Sequence, residues 1–135
     1  MEHVTTIRVR YAETDRQGVV YHGHYFTYFE VARTELLRAH GVRYRDLEER
    51  GILLVVTEAA CRYRASAAYD EEIRVAVRVT SHSAVRMVFA YVVTRAVDGA
   101  VLAEGETTLA CLDRAGRPRR LPDELAGRLK VIQKH

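Results

Sequence analysis

An α+β sandwich, one curved antiparallel sheet of about five strands wrapped around one long helix, is the architecture this chain predicts. Three observations carry it. Apolar residues recur at three- and four-residue spacing from Phe26 to His40, then at two-residue spacing from Ile52 onward. The breaks between the later runs hold tight-turn chemistry, and tight turns join antiparallel neighbours. The length, 135 residues, suffices for one core but not for two.

The first strand spans about Val4 to Tyr11, where Ile7, Val9 and Tyr11 alternate with Arg8 and Arg10. Phe26, Phe29, Ala32, Arg33, Leu36, Leu37 and His40 then mark one face of a helix, and Gly41 supplies the left-handed stop just past its end. A shorter helical piece, Tyr44 to Arg50, ends at Gly51. Strands follow over Ile52 to about Arg64, Ile73 to Thr80, Val85 to Val93 and Val101 to Leu112. Their breaks are Asp70-Glu71, Ser81-His82-Ser83 and the hairpin signal Asp98-Gly99. Pro122, at the first helical position, opens a C-terminal helix of about 122–133. One helix leaves an edge strand of the sheet unpaired, and a second copy of the chain is the expected cover.

Composition narrows the function classes. Hydrophobic content of 48% with 29% charged residues is that of an ordinary globular domain, and the net charge of +3 is mild. Arginines are interleaved with acids along the strands rather than gathered, so no nucleic-acid footprint forms. No apolar run approaches the roughly 20 residues of a membrane helix, and Met1-Glu2-His3-Val4 shows no secretory pattern. A cytoplasmic protein without membrane insertion is expected. Cys61 and Cys111 lie in apolar strand runs and read as buried small hydrophobes.

Chemistry concentrates in Tyr11-Ala12-Glu13-Thr14-Asp15-Arg16-Gln17-Gly18-Val19-Val20-Tyr21-His22-Gly23-His24-Tyr25, between the first strand and the long helix. Asp15 stands seven residues before the amides of a helix start, so a base lies close to an anion-binding terminus. That pairing suits attack on a carbonyl. The plain alternative for Asp15 is an Asx-turn or a helix cap. The backbone N–H groups of His22 and Gly23 are the oxyanion donors to expect, because first-turn amides lack helical partners. Tyr21 and Tyr25 would wall an acyl pocket, and the His22 side chain would hold the loop or polarise water.

These residues also carry a family resemblance. Tyr11, Thr14-Asp15, Gly18, Val19-Val20, Tyr21-His22 and Tyr25 resemble the signature of the hotdog-fold acyl-CoA thioesterases of the 4-hydroxybenzoyl-CoA thioesterase type, in particular the branch found with Tol-Pal cell-envelope genes. The likeness runs on through Phe29-Glu30-Val31-Ala32-Arg33-Thr34-Glu35 and weakly to about Asp113. It departs at Ser66-Ala67, where Pro-Ala is usual, and at Asp70-Glu71, where two aspartates are common. The resemblance implies a hotdog fold, hydrolysis of acyl-CoA without metal or organic cofactor, and Asp15 as base or nucleophile. It implies His22 as the residue supplying the oxyanion amide. It also implies a homodimer with active sites at the subunit junction, stacked into a homotetramer.

Other residues offer alternative chemistry. His22 and His24 with Asp15 make a possible metal set, but no fourth ligand is evident. Glu30 and Glu35 sit on the helix, where an exposed or ion-paired role is expected. Glu58 is a strand carboxylate that could face in and line the pocket. Ser81, His82, Ser83 and Arg86 offer hydroxyls and a guanidinium for coenzyme A phosphates, with the basic segment Arg114, Arg117, Arg119, Arg120 as an alternative clamp. A hotdog hydratase, or a non-catalytic module binding acyl-CoA or acyl carrier protein, are the alternative functions.

Overall fold

The computed structural model of the protein describes residues 2–134. Strand β1 (His3–Arg8) leads through a 3-10 turn, Tyr11–Glu13, and a loop into helix α1 (His24–Ala39). A short helix α2 (Tyr44–Glu49) precedes four long strands, β2 (Leu53–Tyr63), β3 (Glu72–His82), β4 (Arg86–Arg95) and β5 (Val101–Leu112), and α3 (Asp123–Lys134) closes the chain. The five strands form one antiparallel sheet in the order β1-β3-β4-β5-β2.

Alternation along β3 and β4 buries Ile73, Val75, Val77, Val79, Met87, Phe89, Tyr91 and Val93 on the helix side. Helix α1 meets them with Tyr25, Tyr28, Phe29, Ala32, Arg33, Leu36 and Leu37; the predicted stripe holds from Phe29 to Leu37, whereas Phe26 is exposed, His40 caps the helix end, and Tyr25 and Tyr28 extend the inward face instead. Phe29 stacks on Tyr91, ring centroids 4.2 Å apart, and lies directly over Gly105. A Cβ at that glycine would come within 2.5 Å of the Phe29 ring and 2.7 Å of the Ala60 carbonyl oxygen. The helix can sit this low on the sheet only because residue 105 has no side chain.

Arg33 belongs to the same buried stripe, and phenols satisfy it. Its Nε donates to Tyr44 Oη at 3.3 Å and its Nη1 to Tyr91 Oη, which shares a 2.6 Å hydrogen bond with Thr107 Oγ1. The helix and sheet are thus joined by a buried polar chain as well as by apolar packing.

Two further features depart from the sequence-based expectation. β1 stops at Arg8 rather than Tyr11, because the chain turns there into the 3-10 segment, and Tyr11 is left exposed instead of buried. Pro122 caps α3 rather than opening it, its carbonyl accepting the Ala126 N–H at 2.9 Å. Among the described residues, no helix is long and apolar enough to cross a membrane.

β2 is an edge strand of 11 residues, and most of it is exposed on both faces, Val55, Val56 and Tyr63 included. So long an edge, with only Glu58 and Arg62 charged and a single bulge at Thr57, is little blunted.

Candidate active site

The loop between β1 and α1 owes its shape to Glu13. Its carboxylate accepts the Arg10 backbone N–H at 2.8 Å, the Arg10 Nε at 3.1 Å and the Tyr28 hydroxyl at 2.9 Å. Its backbone carbonyl accepts the Tyr21 N–H at 2.9 Å. Burial pushes this carboxyl up, but the Arg10 amide, the Tyr28 hydroxyl and the Arg10 guanidinium outweigh it and hold Glu13 below the usual carboxylate range.

On that base stands a short hairpin. Thr14 pairs with Val20, the Asp15 N–H donates to the Val19 carbonyl at 2.8 Å, and the Gly18 N–H returns to the Asp15 carbonyl at 3.0 Å. Gly18 has φ +81°, the left-handed residue such a turn requires. The Val20 N–H donates to Ala67 at 2.8 Å, tying the far leg to the strand connection. Asp15 therefore sits at the tip of a braced turn. Its Oδ1 accepts the Gln17 N–H at 2.9 Å, an Asx-turn. Oδ2 has no donor among the described residues. The turn takes one carboxylate oxygen and leaves the other available.

At the mouth of α1, the Tyr21 N–H is taken by Glu13, while those of His24, Tyr25 and Phe26 are taken by the carbonyls of Tyr21, His22 and Gly23. Among the described residues, the His22 and Gly23 N–H groups have no acceptor. Asp15, Gln17, Val19, Val20, His22, Tyr25, Tyr63, Arg64, Ala65 and Ser66 line a cavity of about 340 Å³. The free carboxylate oxygen and the helix mouth thus belong to one concave site. Tyr25 is buried at its wall, with its ring edge to Tyr28 and to Tyr63, centroids 5.7 and 5.4 Å apart.

The comparisons agree with this geometry. Residues 9–129 match the family model described as the thioesterase-like superfamily. This chain belongs to the thioesterase-like superfamily. Among curated relatives of this superfamily member is the acyl-CoA thioester hydrolase YbgC of Escherichia coli, 33% identical over 125 residues, which are 92% of each chain. Among solved structures, a DHNA-CoA thioesterase from Staphylococcus aureus superposes with a TM-score of 0.94 at 34% identity, over 98% of this chain and 91% of that one. A protein from Thermus thermophilus known as TT1821 superposes with a TM-score of 0.91 at 39% identity, over 98% of both chains. The hotdog architecture is shown.

Not every expected residue of this thioesterase-like chain reaches the cavity. Tyr21 does not line it. It is exposed and lays its ring over Gly23, where an added Cβ would come within 2.8 Å of the ring. Its ring also packs against the imidazole of His22, centroids 4.3 Å apart. Glu58 faces away from the helix. β2 shifts register between Val56 and Glu58, so Val56 pairs with buried Leu109 whereas Glu58 pairs with Thr108 on the opposite face. One bulged residue, Thr57, exchanges the faces.

Ser81, His82, Ser83 and Arg86 line a separate cavity of about 270 Å³ with Val88. It lies at the His82 end of β3, whereas the Asp15 loop lies at the Glu72 end, about 30 Å away along an 11-residue strand. Glu30 is exposed and Glu35 pairs with Arg38. Among the described residues, no three of His, Cys, Asp and Glu gather where a metal ion could be held.

Tyr63 is the site residue that the sequence reading passed over. Its hydroxyl donates to the His22 carbonyl at 2.8 Å across 41 residues of chain. Only an aromatic at the end of a predicted strand marks it in the sequence.

Proposed function

We propose that this chain hydrolyses acyl-CoA thioesters, water and acyl-S-CoA giving the free acid and coenzyme A, with Asp15 as base or nucleophile. The observation that carries the reading is the shared cavity, which joins a carboxylate oxygen without a donor to the helix mouth at His22, whose N–H has no acceptor. As the substrate carbonyl becomes tetrahedral, its oxygen gains negative charge, and the His22 or Gly23 N–H receives it at the positive end of α1. Asp15 either draws a proton from the attacking water or attacks the carbonyl carbon itself, forming an acyl–Asp15 anhydride that water then hydrolyses to the free acid and the carboxylate. The CoA thiolate departs and takes up a proton. No metal or organic cofactor enters these steps. The relatives' names, an acyl-CoA thioester hydrolase and a DHNA-CoA thioesterase, support the same reaction class.

The acyl group on this reading is short or aromatic. A cavity of about 340 Å³ walled by Tyr25 and Tyr63 supports this, since it is small and ring-lined.

We also propose a homodimer formed by two β2 edges, with two dimers stacked into a tetramer. The exposed edge supports the first step. The outward face of β3 and β4, with Ala76, Ala90 and Val92, supports the second. Antiparallel pairing of β2 with its copy exchanges strand ends, so the partner's β3–β4 hairpin comes to the end of the sheet that holds Asp15. That arrangement would let Ser81, His82, Ser83 and Arg86 of one subunit serve coenzyme A bound at the other. We place the enzyme in the cytoplasm, a reducing compartment suited to the free thiols Cys61 and Cys111.

Thiol release from a panel running from acetyl-CoA to palmitoyl-CoA, with benzoyl-CoA included, tests the reading. Release is expected, and faster for short or aromatic thioesters. No release from any of them would favour the non-catalytic binding module, and hydration of an enoyl-CoA instead would favour a hydratase. Fastest release from palmitoyl-CoA would overturn the substrate class.

A further inference from the structure

We propose that Arg95, acting with Glu71, is a positioning residue for the Asp15 turn, fixing the Ser66-Ala67-Ala68 segment on which that turn is docked; the inference rests on the thioesterase reading above. This segment is the wall that faces the turn. Ser66 lines the cavity, the Ala67 carbonyl accepts the Val20 N–H at 2.8 Å, and Ala68 bridges to Val19. The Val19 carbonyl in turn accepts the Asp15 N–H at 2.8 Å. A shift of the segment therefore reaches Asp15 through short backbone contacts.

The segment lies outside both β2 and β3, so no sheet ladder holds it. Just beyond it stands Asp70, φ +69°, the one non-glycine residue with left-handed backbone among the described residues. Such a conformation persists only where its surroundings impose it. Arg95 and Glu71 supply that constraint. Arg95 Nη2 donates to the Ser66 carbonyl at 2.8 Å, and its Nε meets Glu71 Oε2 at 2.7 Å. Glu71 Oε1 then accepts the Ala68 N–H at 2.7 Å. One guanidinium and one carboxylate thus grip the backbone on either side of buried Ala67.

This pair differs from a solvated surface contact. The side chains of Arg95 and Glu71 are 21% and 29% exposed, against 57% and 67% for the neighbouring Arg8 and Asp70. Pairs in open solvent are screened and fix little geometry. Here both Glu71 oxygens and all three guanidinium nitrogens are engaged, the third with Asp98 Oδ2 at 2.9 Å. Neither Arg95 nor Glu71 lines the Asp15 cavity; both line a separate one of about 460 Å³. They act on the site through backbone, not on the substrate.

Arg95→Met tests this with the best thioester of the acyl-CoA panel. We expect kcat to fall about tenfold, inside the roughly 100-fold that a 1 Å misplacement can cost, with KM near wild type. Asp98→Asn weakens only the hairpin contact of the same guanidinium and should leave kcat within about twofold of wild type. In an Asp15→Asn background, where the misplaced group is already gone, adding Arg95→Met should cost less than about twofold more. An equal tenfold loss in both backgrounds would make Arg95 merely structural and overturn the proposal. A raised KM at unchanged kcat would overturn it too.

Hydrogen exchange reads the brace without catalysis. In Arg95→Met and in Glu71→Gln, the Val20 and Ala68 amides should exchange about tenfold faster while those of β3 and β4 keep their wild-type protection. Unchanged exchange at Val20 and Ala68 would overturn the proposal, and so would an equal loss of protection throughout the sheet. A wild type inactive on every thioester removes the underlying thioesterase reading. An active wild type with an unaltered Arg95→Met variant removes only the role of Arg95.

Discussion

The Tyr28 hydroxyl on α1 donates to Glu13 Oε1 at 2.9 Å, and this bond ties the core face of the helix to the loop that carries Asp15 two residues later. Helix and loop therefore move together, and the geometry of Asp15 relative to the helix mouth is set by a buried contact outside the cavity lining.

Glu13→Gln should show this. The change keeps shape but removes the charge that Arg10 and Tyr28 address, and a buried hydrogen bond to a charged group is worth about 1.5–3 kcal/mol. The variant should melt earlier and turn over more slowly. The pH dependence has a definite sign. The folded-state pKa of Glu13 lies below its ordinary 4.5, so its stabilisation is complete above that value and is lost as pH falls through the depressed pKa. The melting difference between wild type and variant should therefore shrink as pH drops below 4.5. A difference that grows on acidification would contradict the assignment.

Much of this fold is legible in the sequence because its long elements are strongly periodic. The stripe from Phe29 to Leu37 and the alternation from Ile73 to Val79 emerge as expected. What escapes is set by contacts between residues distant in the chain. Arg33 sits on the apolar face without an acidic partner, and only the arrival of Tyr44 and Tyr91 explains how it is buried there. Glu58 follows Leu54 and Val56 in step with the inward face, and a single bulge at Thr57 turns it outward. A bulge has no composition of its own. Asp15 and the helix mouth were readable from local spacing. Tyr63 was not, because its partner lies 41 residues away.

Gly105→Ala should destabilise by about 1–3 kcal/mol, the usual cost of overpacking a filled core. The added Cβ would meet the Phe29 ring on one side and the backbone oxygen of Ala60 on the other, and the backbone cannot move aside as a flexible side chain can. Thermal melting reads the effect directly. An unchanged melting temperature would mean that α1 stands further from β5 than described.

The β2 edge makes a prediction about assembly. Sedimentation should find a species at least twice the 15.4 kDa of one chain. Val56→Glu places a charge at a position exposed within a single chain, so the fold itself should lose little. The assembly should weaken and turnover should fall with it. A concentration-independent monomer with full activity would sink both the dimer and the shared coenzyme A site.

Asp15→Asn is the decisive substitution. The amide keeps the shape of the carboxylate and can still accept the Gln17 N–H through its oxygen, so the turn should survive. What it loses is the charge and the ability to take a proton or attack a carbonyl. If Asp15 is the base or nucleophile, kcat should fall about 100-fold or more, within the range of general-base catalysis, while the melting temperature and binding of unreacted acyl-CoA stay close to wild type. If Asp15 only closes its Asx-turn, the same change should cost at most about 1 kcal/mol of stability and leave turnover intact. Steady-state thiol release, a thermal melt and equilibrium binding of acyl-CoA separate the two outcomes. A variant that folds, binds and turns over like wild type would leave the helix-mouth amides without their carboxylate. The chemistry would then have to come from another group, and since Glu58 faces away from the cavity, the His22 imidazole on its wall would be the first to examine.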